Sequence, residues 1–190
     1  MLMRFVKFLK AKNGMAAVEF ALIAPLLVTL LLGSVEVSNA LEARQKATSL
    51  ASSAADLVAQ TASVSSSDMT NIFNAVTAIM YPFSGTTSIV ISSVASDGNG
   101  NGTVLWSQAQ NGTALTKGAA VTLSQQIMLT CTSTPTPSCK NCAAGACTVI
   151  MAQISYAYTS PIGKLFVGVV PITDSFFARP RKSVSVAYTG

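Results

Sequence analysis

GMAAVEFALIAPLLVTLLLGSVE, residues Gly14 to Glu36, is the stretch whose reading decides the fold. From Met15 to Val35 the apolar run is 21 residues long, and as an α-helix it rises about 31 Å, enough to cross a bilayer. One carboxylate, Glu19, stands near its head. Carrying an acid into hydrocarbon costs roughly 2–4 kcal/mol on insertion scales, so an acid kept there is read first as functional. Glu19 lies four residues after Met15, one helical turn, which places the two on one face.

The residues before and inside this stretch carry a resemblance. A basic leader ends at Gly14, and G-M-A-A-V-E-F is followed by A-L-I-A-P-L-L. That order resembles the processing site and anchor of type IV pilin-like proteins, and most closely the TadE-like family of the Tad (Flp) tight-adherence pilus. The resemblance implies cleavage after Gly14 by a prepilin peptidase, with Met15 as the mature terminus. It also implies that Glu19, at mature position five, supports assembly with other pilins and pilus assembly proteins through the N-terminal helix. Pro25 matches the family's proline. The likeness covers about 50 of the 190 residues, consistent with an anchor followed by one modest domain.

Half of the residues are apolar and 10% are charged, with a mean hydropathy of +0.50. The net charge of +5 is concentrated in the leader. Arg4, Lys7, Lys10 and Lys12 lie there with no acid, leaving eight basic and seven acidic residues, a net +1, in the rest. The basic character therefore indicates no nucleic acid partner. It is the positive-inside signature, placing residues 1–14 in the cytoplasm and everything after about Val35 outside. The resemblance implies that the helix lies in the inner membrane and the remainder in the periplasm, then at the pilus or cell surface. A secretory signal peptide is the alternative, with Ser38-Asn39-Ala40 as a small-x-small cleavage site. Glu19 and Glu36 count against it, at the start of the apolar run and just before that site.

Helix composition continues beyond the apolar run. Residues 36–60 lack Gly and Pro, and Val37, Leu41, Leu50, Ala54, Leu57 and Val58 form a narrow apolar face. One helix to about residue 60 is expected, with Pro25 freeing a carbonyl and bending it. Thr61 to Ser67 reads as a polar linker. A second helix is expected from Met69 to Met80, capped by Ser67 or Asp68, with Ile72, Phe73, Val76, Ile79 and Met80 on one face. Tyr81-Pro82 ends it.

Strand composition follows. Ile89 and Ile91 alternate in Thr87 to Val94, and Val104 and Trp106 are expected on one face of Thr103 to Gln110. Asp97 to Gly102, DGNGNG, joins them. This loop also opens like a calcium site, but Gln108 occupies the place of the closing Glu and Asp97 is its sole carboxylate, so a turn is preferred. The Asn-Gly-Thr sequons at Asn101 and Asn111 read as turn chemistry too. Further strands are expected at Ala120–Cys131 and Cys147–Tyr158, forming a hairpin around an insertion that holds Cys139 and Cys142. In that hairpin Cys131 and Cys147 sit at the base and Cys139–Cys142 close a small loop, although four cysteines allow three pairings. Zinc and thioredoxin-like redox chemistry lack the necessary context, so structural disulfides suited to an oxidising compartment are preferred and no cofactor is expected.

The tail adds a short likeness to TadE-like proteins through Tyr156, Tyr158, Pro161 and Arg179-Pro180-Arg181. Ile162 to Val170 is apolar, as core or as a surface for another subunit. Val184, Val186 and Tyr188 read as a last strand, and Arg179, Arg181 and Lys182 as a solvated edge. The chain contains no His, which removes His-based triads and pairs, and no glycine-rich phosphate loop precedes a Lys. An enzyme is not expected. The fold expected is α+β: a long protruding N-terminal transmembrane helix, then a pilin-like antiparallel sheet with one packed helix. The function expected is that of a minor pilin, or pseudopilin, of a Tad-type pilus used in surface adhesion. The alternative is a membrane-anchored binding or assembly-factor module outside the fibre.

Overall fold

The computed structural model describes residues 14–96, 101–123, 147–160 and 168–190. The chain divides into two units, Met1–Ala40 and Leu41–Gly190. Its first element is helix α1, Gly14–Ala59, 46 residues with Pro25 inside. Strand β1 (Ser63–Val64), helix α2 (Ser66–Thr77) and a short 3-10 turn (Ala78–Met80) follow. Strands β2 (Thr87–Ser96), β3 (Asn101–Gln110), β4 (Ala120–Thr122), β5 (Cys147–Thr159), β6 (Val169–Ala178) and β7 (Ala187–Tyr188) complete the described chain. The fold is α+β, with a candidate membrane span at its N-terminal end.

In the first unit, the part of α1 up to Ala40 buries none of its large apolar side chains; Leu22 is 76% exposed and Phe20 67%. The 18-residue window that marks this span has a mean hydropathy of 2.3. Its hydroxyls turn inward on their own helix. Thr29 donates to the Pro25 carbonyl at 2.8 Å, Ser34 to Leu31 at 2.8 Å and Ser38 to Ser34 at 2.9 Å. Such local bonds satisfy each hydroxyl within its own helix.

In the second unit, β4-β3-β2-β5-β6 form one sheet in that order, and every pairing is antiparallel. Side chains alternate between its two faces. Ile89, Ile91 and Ser93 of β2 share a face with Ile150, Ala152, Ile154 and Tyr156 of β5, and all are buried. Asp174 of β6, opposite Ile154, lies on this face and accepts a bond from Thr48 of α1 at 2.5 Å. The C-terminal part of α1 therefore covers it. Its buried residues are Ala43, Ala47, Leu50, Ala51, Ala54, Ala55, Val58 and Ala59. The expected face is thus corrected: Leu50, Ala54 and Val58 hold their place, whereas Leu41 is 55% exposed and Leu57 39%. Alanines replace them because small side chains let a helix lie close to the sheet it covers.

Helix α2 begins earlier than its apolar spacing indicates. Ser65 is the N-cap: its hydroxyl accepts from the Asp68 N–H at 3.2 Å, and the Asp68 carboxylate accepts from the Ser65 N–H at 2.9 Å. This reciprocal pair is a capping box with Asp at its third position. The helix buries Met69, Phe73 and Val76, and Met80 is buried in the turn beyond, while Ile72 and Ile79 are half-buried. The expected linker contains β1, which pairs in parallel with β7 through Ser63–Ala187 and Val64–Tyr188. The last strand is correspondingly short; Val186 is buried and Val184 is 66% exposed.

Two strand expectations are corrected. The register of β2 and β3 shifts between Ser93 and Val94: Ser93 faces Trp106 and Val94 faces Val104. Leu105 is the extra residue of a bulge, so Val104 and Trp106 point to opposite faces of the sheet. The hairpin expected between Ala120–Cys131 and Cys147–Tyr158 does not form over the described residues. β4 pairs with β3, whereas β5 lies between β2 and β6.

Candidate functional site

The N-terminal site is built on the first turns of α1. Gly14 is exposed, and a Cβ added to it would meet no atom within 4 Å. Among the described residues, packing does not require glycine at this position. Met15 is 72% exposed, and Glu19 is exposed one turn further along. The turn between them rises about 6 Å along the axis. Around them stand Val18, Phe20, Leu22 and Ile23, each more than half exposed. The result, among the described residues, is one acid in the first turns of an apolar helix whose bulky side chains are exposed.

Residues 14–56 match the family model described as TadE-like protein. This stretch is TadE-like. The matched segment starts at Gly14, takes in Met15, Glu19 and Pro25, and ends within the alanine face of α1. No curated protein and no solved structure matches the chain. The TadE-like segment is also the candidate membrane span, apolar and long enough to anchor the protein.

The other sequence-derived sites are distributed elsewhere. Leader residues 1–13, Asp97 to Gly100, Cys131, Cys139, Cys142 and residues 161–167 lie outside the described residues. Cys147 opens β5 opposite Ser96. Among the described residues no three His, Cys, Asp or Glu side chains gather as a metal group would require.

The tail residues of the TadE-like resemblance are placed by the sheet. Tyr156 and Tyr158 lie on its helix-covered face, where the Tyr156 hydroxyl donates to the Ser84 carbonyl at 3.0 Å and Tyr158 meets Phe83 edge-on at 5.9 Å. Burial pushes the Tyr156 phenol above its ordinary range. Lys46 of α1 donates to the Tyr81 carbonyl at 2.5 Å, lies 3.6 Å from Glu42 and stands 5.9 Å over the Phe83 ring. These contacts fix the turn between α2 and β2. Arg181 is not merely a solvated edge, because it pairs with Asp56 of α1.

Sequence reasoning missed two concavities in the second unit. One, of about 490 Å³, is an open polar groove along Ser88, Gln153, Ser155, Thr173 and Ser175. The other, of about 420 Å³, lies beside Trp106, Tyr188 and Lys117. A lone Trp in a strand pattern signals burial, but the bulge that redirects it leaves no mark in the alternation.

Proposed function

We propose that this protein is a minor pilin, or pseudopilin, that enters or initiates a Tad-type pilus used for surface attachment. The TadE-like match points to involvement in Tad pilus assembly. The observation that carries the finer reading is the exposed apolar length of α1 with Gly14, Met15 and Glu19 at its head. A helix of that kind needs lipid before assembly and other helices after it. In this reading a prepilin peptidase cuts after Gly14, releasing the Met15 amine, whose reference pKa is near 8 and which is cationic at neutral pH. An unpaired charge among apolar helices costs several kcal/mol, and a paired one far less. Glu19 then selects the register in which it meets the Met15 amine of a neighbouring subunit. The protein serves as an assembly component of the fibre, with no catalytic step of its own and with its cysteines paired as structural disulfides.

Mass spectrometry of the mature N-terminus tests this reading. Chains beginning at Met15 are expected, with uncut precursor accumulating when Gly14 is replaced by a bulky residue. Glu19→Ala should still be cut yet be lost from sheared pili. A chain that keeps its leader, or one cut after Ala40, overturns the reading in favour of a simple anchor or a secreted module. Wild-type incorporation of Glu19→Ala removes the register role.

A further inference from the structure

The bulge at Leu105 does more than interrupt a strand. It turns Trp106 to the face opposite Val104, where the indole N–H donates to the Val186 carbonyl at 2.7 Å. With that bond made, what the indole offers to a visitor is its ring. The Tyr188 ring stands 5.8 Å away, tilted by 31°. β4 pairs with β3 only at Asn101–Thr103, so from Leu105 onward no strand lies along this edge among the described residues. The chain instead loops back beside it: the Leu115 N–H donates to the Ser107 hydroxyl at 3.0 Å, and Val104 exchanges backbone bonds with Gly118 and Ala119.

Strand edge and returning loop border an open cavity of about 420 Å³ lined by Leu105, Trp106, Ser107, Leu115, Lys117 and Tyr188. Its volume falls in the range of roughly 300–1,000 Å³ of small-ligand sites. The loop obstructs the edge, so a continuous added strand has no room to pair there. Two aromatic rings present flat apolar surface, Ser107 and the strand edge present polar groups, and Lys117, exposed at the rim, is the only charged side chain in the lining.

We propose that this cavity binds a sugar ring bearing a carboxylate, as in an acidic polysaccharide. The C–H face of the ring lies against Trp106 and Tyr188, its hydroxyls meet the polar edge, and its carboxylate pairs with the Lys117 ammonium. The site belongs to the second unit and does not depend on how α1 is processed or assembled.

Trp106 is the single tryptophan of the chain, so its fluorescence reports on this cavity alone. The full chain in detergent is titrated with trigalacturonate, with maltotriose as neutral sugar and with a Glu-containing tripeptide as a non-sugar anion. A saturable emission change with trigalacturonate only is expected. It should weaken about three- to fivefold in Lys117→Ala, as for an exposed ion pair, and recover in Lys117→Arg. Both substitutions are at an exposed loop position and leave the fold intact, which far-UV circular dichroism checks. No saturable response to trigalacturonate overturns the proposal. So does an equal response to maltotriose or the tripeptide, or an affinity unchanged in Lys117→Ala.

Discussion

Arg181 closes the end of α1 at Ala59. Its backbone N–H donates to the Ala59 carbonyl at 2.8 Å, and its guanidinium pairs with Asp56 one turn earlier. Carbonyls in the last turn of a helix have no partner within it, and here the chain's C-terminal segment supplies one. The two side chains are 64% and 36% exposed, so their pairing is worth little in water. Arg181→Ala is expected to cost about 0.5 kcal/mol in urea melts, and Asp56→Ala about the same. The double variant should cost less than the sum of the two, and the differences should shrink at high salt. Additive losses indifferent to salt would show that the pair does not act as one.

Ser65 and Asp68 make α2 sensitive to acid. Hydrogen bonds from the Ser65 hydroxyl and backbone N–H hold the Asp68 carboxyl below its ordinary value of 3.8, outweighing a small opposing effect of burial. A carboxylate whose folded pKa is depressed gives stability above its unfolded value and loses it as pH falls through the folded one. Stability should therefore decline below about pH 4 in part through this group. Asp68→Asn should flatten that decline in melts taken from pH 6 to 2.5. An unchanged acid limb would remove Asp68 from the account.

Tyr156 should set an alkaline limit. Its phenol is raised by burial and donates to the Ser84 carbonyl. A group whose folded pKa lies above the unfolded one, near 10, gives stability that is complete below pH 10 and is lost as pH rises through the folded value. Tyr156→Phe should cost about 1 kcal/mol at neutral pH through the lost bond and show a shallower decline above pH 10. Ultraviolet titration of phenolate formation, alongside melts, checks both parts.

Gly102 is fixed by its neighbours in the sheet. A Cβ there would stand 2.4 Å from Val94 Cγ1 and 3.2 Å from Leu123. Gly102→Ala should destabilise the second unit by about 1–3 kcal/mol through overpacking. Combining it with Val94→Ala should cost less than the two single losses together, since each change makes room for the other. Strict additivity in denaturant melts would contradict the contact.

The parts of the fold legible in the sequence are those set by local physics. The apolar length of α1, the alternation of Ile89 with Ile91 and the turn at Tyr81-Pro82 all follow from residues near in the chain. The bulge at Leu105 was not legible, because an extra residue in one strand is visible only against its partner. Nor was the place of β5, whose neighbours are chosen by which faces fit across the whole sheet. The Ser65 cap was hidden because an Asp three residues later completes the box where Glu or Gln is the usual sign. At the N-terminal site, Gly14, Met15 and Glu19 were legible as a pattern in order. The cavity beside Trp106 was not, since it depends on the bulge, a returning loop and Tyr188 arriving from the far end of the chain.

The place of β2 in the middle of the sheet bears on the order in which the protein can be made. One of its edges is met by β3, which follows it directly, but its other edge waits for β5, with Ile91 finding Ala152 only across a long stretch of chain. As the polypeptide grows from its N-terminus, β2 and β3 exist as a hairpin with an open, apolar flank until β5 has been synthesised. During that interval α1 has already been completed and offers its alanine face to half a sheet. Such long-range closure is slow and leaves an unpaired edge available to other chains. The nascent protein is thus most vulnerable to misassociation between the appearance of Gln110 and that of Thr159, a window set by strand order alone.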